Sequence, residues 1–238
     1  LGDAGTRIGE LNARLLINRG VVDAASAASY LNPRYQDLGD PFDLPDMGTA
    51  VDRLTGALDR GERIGVVGDF DVDGLSATAL LVRTLRSFGG DVVAYVPTRA
   101  VDGHGLPIRA IEWFAEQGVS VLITADTGTT DVSEVDHATR LGIDSVITDH
   151  HLQGDELPRA RALVNPNVGG TAPENASLSG SGVAFKLAQA IARSIRGSNN
   201  SASGSGTNAR SGQSGADDAI ALAALGTIAD VAPLTGDN

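Results

Sequence analysis

Three aspartates at alternate positions, Asp69, Asp71 and Asp73, stand in the run Gly68-Asp69-Phe70-Asp71-Val72-Asp73-Gly74. Carboxylates this close repel each other unless a cation lies among them. The apolar run 64–67 before them reads as a buried strand, and 75–81 after them as a helix start. A strand, a carboxylate-rich turn and a helix present their groups at the carboxyl edge of an α/β sheet. Two more strand ends carry ligand-type residues: Asp126 in Ala125-Asp126-Thr127-Gly128, and Asp149-His150-His151. Aspartate and imidazole without thiolate suit Mn²⁺, Mg²⁺ or Co²⁺ better than a structural zinc. The carboxylates outnumber the needs of one ion, so the pattern predicts two, with Asp126 from the central strand as the bridge. Such a pair makes hydroxide from bound water and clamps a phosphoryl group, which points to hydrolysis of a phosphodiester, phosphomonoester or pyrophosphate. Arg99 is the first arginine expected to hold a non-reacting phosphate.

Each feature also has a plainer reading. An aspartate after a strand is often a helix N-cap, which would suffice for Asp126 or Asp149 alone. The triple-aspartate run could be a calcium loop, but it lacks the spacing and the later glutamate of an EF-hand. His137 lies mid-helix on a polar face and reads as solvent-exposed, while His104, between two glycines, could be loop filler or a substrate contact. What sets the plain readings aside is the coincidence of three independent strand ends.

The elements that must position these residues follow from the pattern. Helices are expected within 7–31, with a stop at Asn32-Pro33, and over 48–60. Strands are expected at 64–67, 92–96, 119–124, 144–148 and 162–164, with helices at 75–88, 107–117 and 131–141 between them. This alternation predicts a doubly wound, five-stranded parallel α/β sheet with a helical N-terminal lead-in over 1–60 and a helical C-terminal part. Right-handed crossovers then bring all strand-end motifs to one edge. Helices at 182–195 and 217–225 flank a Gly/Ser/Asn stretch that reads as a flexible insert over 197–216.

The chain has 238 residues, 42% hydrophobic and only 4% aromatic, so its core must be built from Leu, Val, Ile and Ala. No run is long and apolar enough to span a membrane, and no signal peptide is visible. Zero cysteines exclude disulfides, Fe–S clusters and thiolate metal sites, and fit a reducing, cytoplasmic setting. A formal charge of -12 argues against nucleic acid unless the clustered acids are neutralised by divalent cations. Every basic residue but Lys186 is arginine, which suits bidentate phosphate contacts but also follows from Arg-rich codon usage.

At these residues the sequence resembles the DHH phosphoesterase superfamily. Asp149-His150-His151 matches its signature, 68–74 its first motif, 125–128 its second and 226–234 its fourth. Within the superfamily the chain is most similar to the RecJ-type single-strand-specific 5′→3′ DNA exonucleases. The similarity extends through Leu15-Leu16-Ile17-Asn18-Arg19-Gly20, Tyr30-Leu31-Asn32-Pro33, Tyr95-Val96-Pro97-Thr98-Arg99 and Gly180-Ser181-Gly182-Val183-Ala184-Phe185-Lys186-Leu187. The resemblance implies a DHH catalytic domain over 61–238 that uses two Mn²⁺ or Mg²⁺ ions in DNA repair and recombination. Asp69 and Asp71 would serve one ion, Asp73, His150 and Asp230 the other, and Asp126 both. Asp230 enters only through the resemblance. His151 would contact the scissile phosphate and Asp149 would orient the histidines. Arg99, His104, Ser181 and Gly182 would hold the strand. Two departures touch that grip: the family usually has Asn-Arg where Thr98-Arg99 stands, and tyrosine where His104 stands. The resemblance also implies a second, C-terminal DNA-binding domain that this sequence does not reach. A catalytic core or fragment with a weak grip is therefore expected. It would be a monomer acting on single-stranded DNA, with a single-strand-binding protein as a partner. Two alternatives stay open: a small-substrate DHH phosphoesterase for short oligonucleotides, nucleotides or pyrophosphate, and a non-catalytic replication partner.

Overall fold

Five runs rich in valine and isoleucine form strands, the structure that β-branched residues fit best. They are Arg63–Gly68 (β1), Val92–Tyr95 (β2), Val119–Ala125 (β3), Asp144–Thr148 (β4) and Ala162–Val164 (β5). In the computed structural model, which describes residues 9–169, 175–202 and 211–238, they pair in parallel in the order β2-β1-β3-β4-β5. In chain order the helices are Glu10–Asn18 (α1), Ala24–Leu31 (α2), Met47–Arg60 (α3), Val72–Ser87 (α4), Ile108–Glu116 (α5), Val132–Arg140 (α6), Gly180–Ala202 (α7) and Ser211–Ala229 (α8).

A parallel sheet must be covered on both faces. Val67, Leu122, Ile147 and Leu163 pack with Ile111 and Phe114 of α5 and with Val135 and Ala138 of α6. The alternate strand residues Ile64, Val66, Ile123 and Val146 are also fully buried. They face α3, α4 and α7, and α8 packs outside α4 and α7. This is the doubly wound α/β fold that the sequence predicts. In the strand order 2-1-3-4-5 the winding reverses between β1 and β3, and the crevice at that point is where such sheets bind ligands.

Several boundaries move. The first turn of α4 begins at Val72 rather than at 75, because the Asp71 side chain caps it by accepting the Gly74 N–H at 3.0 Å. Asp73 is therefore a helical residue and not part of the turn. The low-complexity stretch is shorter than its composition suggests: α7 runs to Ala202 and α8 starts at Ser211. A helix already nucleated on a packed face propagates at little cost through weak helix formers. The remainder of the expected insert, 203–210, lies outside the described residues. Chain contacts divide the molecule between Gly39 and Asp40 rather than at residue 60. The helix α3 packs on α7 and β5, so it belongs with the sheet. The first unit holds α1, α2 and an Arg34–Asp37 ion pair of 2.7 Å. His137 is half-buried rather than exposed: it faces α5, 3.8 Å from Glu112. Among the described residues no helix is long and apolar enough to cross a membrane.

At the amino edge of the sheet, Glu62 ties α3 to β3. It accepts hydrogen bonds from Arg53 (2.7 Å), Arg60 (2.5 Å) and the Ser120 hydroxyl (3.1 Å). Burial alone would raise its pKa, but the two guanidinium groups and the hydroxyl outweigh it and hold the carboxyl at about 2, against an ordinary 4.5. A depressed folded-state pKa stabilises above the unfolded value and is lost as pH falls through the folded one. We expect Glu62→Gln to lower the urea midpoint at pH 7, and the gap from the parent to shrink steadily between pH 4.5 and 2. A gap that stays constant over that range would show that this charge network does not stabilise the fold.

Candidate metal centre

The strand ends meet at the switch point. Asp69 follows β1, Asp126 follows β3, and Asp149, His150 and His151 follow β4. Asp126 is 2% exposed and sits at a φ of 64°, in the left-handed region that a non-glycine residue enters only at a cost. Its N–H is tied to the Thr148 carbonyl at 2.9 Å, so the strain is imposed by the sheet edge. Burial pushes its carboxyl up to about 7; His150 partly offsets this, while Asp73 and Asp71 add to it. Its Oδ1 is buried and receives no hydrogen bond, although Nε2 of His150 is only 3.1 Å away. A lone-pair oxygen and a ring nitrogen that are close but not bonded to one another are what two ligands of one ion look like. Adjacent ligands of an octahedral ion lie about 3 Å apart.

Ligand atoms gather here in three overlapping sets, each within 4.8 Å: Asp69 with Asp71 and Asp126, Asp73 with His150 and Asp230, and Asp126 with His150 and His151. All six expected metal residues are thus in one place, and Asp126 and His150 each stand in two sets. The donor set, carboxylates with imidazole, fits hard divalent ions. Asp230 arrives from the end of α8, just before Val231, whose φ of 57° is itself an outlier for a β-branched residue. Burial raises the pKa of Asp230, as do Asp73 and Asp71, against the pull of His150.

Asp149 is buried at 1% exposure and fully engaged. It accepts the N–H groups of Thr129 (2.9 Å), His150 (2.7 Å) and His151 (3.2 Å), and Nδ1 of His151 lies 2.7 Å from it. Burial raises its pKa, but these bonds prevail and bring it to about 2. The bond from Asp149 in turn lifts His151 to about 9. In His150, burial lowers the pKa but Asp126 prevails, so the net shift is upward.

Sequence reasoning missed the frame around these groups. Asn165, at the end of β5, donates to the Thr129 hydroxyl (2.8 Å) and to the His151 carbonyl (2.9 Å), and accepts the Asn167 N–H (2.8 Å). The amide of Asn167 bonds to the His150 carbonyl. The available signal was a polar Asn-Pro-Asn at the same sheet edge as the ligands.

At Ser181 and Gly182, expected to hold the strand, the backbone N–H groups are bonded within the protein. Both residues are buried. The N–H groups of Gly180 and Ser181 bond to Asp73 at 2.7 and 2.9 Å, and that of Gly182 to the Ser179 hydroxyl at 3.2 Å. The positive end of α7 is spent on the protein's own carboxylate, a partner its dipole favours as much as a phosphate. The approach is so close that a Cβ at Gly180 would lie 2.3 Å from Asp126 Oδ1, and one at Gly226 would lie 2.2 Å from Asp73 Oδ1. Glycine is required at both places. Arg99 and His104 are exposed at the site's rim. They converge on Phe70, with the Arg99 guanidinium 5.2 Å and the His104 ring 4.5 Å from its ring centre, and His104 Nδ1 lies 3.1 Å from Asp69.

The family profile described as "DHH family, N-terminal domain" matches residues 63–223. The chain belongs to the DHH family. Single-stranded-DNA-specific exonuclease RecJ of Bacillus subtilis is 38% identical over 228 residues, which is 96% of this chain and 26% of that protein. RecJ of Dickeya dadantii is 42% identical over 192 residues, 79% of this chain and 32% of that protein. The crystal structure of RecJ in complex with Mn²⁺ from Thermus thermophilus superposes with a TM-score of 0.70 at 30% identity, covering 94% of this chain and 28% of that one. This DHH chain therefore spans about a quarter to a third of the length of these relatives.

Two outcomes test the centre. Titration calorimetry of Asp126→Ala should lose both high-affinity Mn²⁺ sites, since Asp126 gathers with Asp69 and Asp71 in one set and, in another, with His150, which also belongs to the set of Asp73 and Asp230. Retention of one full-affinity site would remove its bridging role. Gly180→Ala should weaken Mn²⁺ binding about tenfold or more, because the new methyl group has nowhere to go except into Asp126. Unchanged affinity would show that α7 can withdraw.

Proposed function

We propose that this chain is the catalytic core of a two-metal phosphodiesterase that degrades single-stranded DNA from the 5′ end, in repair and recombination. One observation carries the reading: three strand-end motifs converge on the buried Asp126, whose free oxygen faces two overlapping ligand sets. Mn²⁺ or Mg²⁺ ions bound there would acidify water and neutralise phosphate charge. Asp69 and Asp71 would hold one ion, Asp73, His150 and Asp230 the other, and Asp126 both. Asp149 orients His151 through Nδ1 and raises its pKa to about 9. The opposite ring nitrogen of His151 can then donate to a non-bridging phosphate oxygen as charge builds there. Arg99 offers a bidentate fork to a neighbouring phosphate, and His104 with Phe70 offers a ring surface for a base. Similarity to RecJ supports single-stranded DNA over pyrophosphate as the substrate. We further place the chain in the cytoplasm as a monomer, working beside a single-strand-binding protein. The cysteine-free composition supports a reducing compartment.

The test is Mn²⁺-dependent release of nucleotides from 5′-labelled single-stranded DNA, run beside duplex DNA and pyrophosphate. Turnover of the single strand alone is expected, and turnover of pyrophosphate alone would overturn the reading. In the same assay His151→Ala should slow the reaction about 10²- to 10⁴-fold while binding two Mn²⁺ ions normally. Loss of an ion in that variant would make His151 a ligand instead.

A further inference from the structure

Residues 96–107, between β2 and α5, form no regular element and carry both Arg99 and His104. Within this exposed loop one carboxylate is hidden: the side chain of Asp102 is 0% exposed. Its Oδ2 accepts the Thr98 N–H at 2.7 Å and an Arg109 N–H at 2.6 Å, and its Oδ1 pairs with Arg109 Nε. Arg109 belongs to α5 and lies 5.9 Å over the ring of Tyr95, the last residue of β2. A single carboxylate therefore ties the start of the loop to the elements on both sides of it. The N–H groups of Val101 and Asp102 close a turn onto the Thr98 carbonyl at 3.0 and 2.8 Å. The far end is pinned separately, where Asp131 accepts the Leu106 N–H at 2.8 Å. Between these two anchors, Arg99 and His104 are brought onto Phe70. None of the Asp102 partners is a metal-ligand candidate. A buried carboxylate is costly unless fully bonded, and here all its bonds serve the loop.

We infer that Asp102 is a positioning residue. It fixes the β2–α5 loop so that Arg99 and His104 form one wall of the site against Phe70, and it thereby sets how tightly substrate is gripped. The inference rests on the reading that Arg99 and His104 meet the substrate. Asparagine at 102 keeps the shape but turns one acceptor into a donor aimed at an N–H, so it breaks the fork without leaving a void.

The experiment compares the parent chain with Asp102→Asn and, as a gentler change that keeps both charges, Arg109→Lys. Three quantities are read: Mn²⁺ binding by calorimetry, the rate of tryptic cleavage after Arg99 against that after Arg140 by mass spectrometry, and KM and kcat on 5′-phosphorylated single-stranded DNA. Local release of the loop predicts cleavage after Arg99 about tenfold faster with cleavage after Arg140 unchanged. It also predicts normal Mn²⁺ binding, and a KM raised about tenfold with kcat within about threefold, the scale of one lost charge-assisted hydrogen bond. Arg109→Lys should give the same pattern, weaker. If both cleavages accelerate together, or cleavage after Arg99 does not accelerate, Asp102 does not position this loop. If cleavage behaves as expected but KM does not move, the loop is positioned but does not set the grip, and the inference falls. If the parent chain itself has no activity on DNA, the functional reading fails, and cleavage still decides whether the loop is fixed by Asp102.

Discussion

Mutual repulsion of carboxylates at one sheet edge is the constraint around which this protein is arranged. Asp69, Asp71, Asp73, Asp126, Asp149 and Asp230 crowd the switch between β1 and β3. The fold answers most of them with its own hydrogen-bond donors. Asp73 takes the N-terminus of α7, Asp149 takes three N–H groups and a histidine, Asp71 caps α4, and Asp69 accepts the Phe70 N–H at 2.8 Å. Asp126 receives none on Oδ1, and burial among like charges carries its pKa to about 7. A buried carboxylate oxygen without a hydrogen-bond donor in an otherwise satisfied network marks the place prepared for something else.

The answer to the repulsion also fixes the surrounding architecture. Because Asp73 is neutralised by α7, that helix must come within contact of the sheet edge, and Gly180 lets it. Because Gly226 of α8 lies against Asp73 in turn, α8 is seated where its last turn delivers Asp230 to the same centre. Elements about 150 residues apart in the chain are thus held together by one carboxylate and two missing side chains. On the opposite flank, Asn165 and Asn167 brace the backbone of the two histidines, so that orientation is set by β5 as well as β4. The site is held by backbone atoms and short polar side chains, which have few ways to rearrange. That suits a centre whose ligands must keep fixed spacing.

The sequence by itself determined the sheet, the edge at which the carboxylates and histidines gather and most of the candidate ligand residues. Period-two and 3.6-residue patterns are local, and the crossover rule converts strand order into a shared edge without any knowledge of packing. Asp230 was legible only through family resemblance, because nothing in its neighbourhood signals a ligand: it follows a helix rather than a strand. Tertiary structure alone decided what the end of α7 does. A helix N-terminus next to a phosphate-handling site reads equally well as a phosphate cradle or as a partner for a carboxylate. Only the position of Asp73, 107 residues away from Gly180, resolves it. The same holds for Asn165, Asp102 and the two contact glycines. Their roles are contacts across long stretches of chain, and a pattern of residue types carries no information about which distant atom will fill the remaining valence.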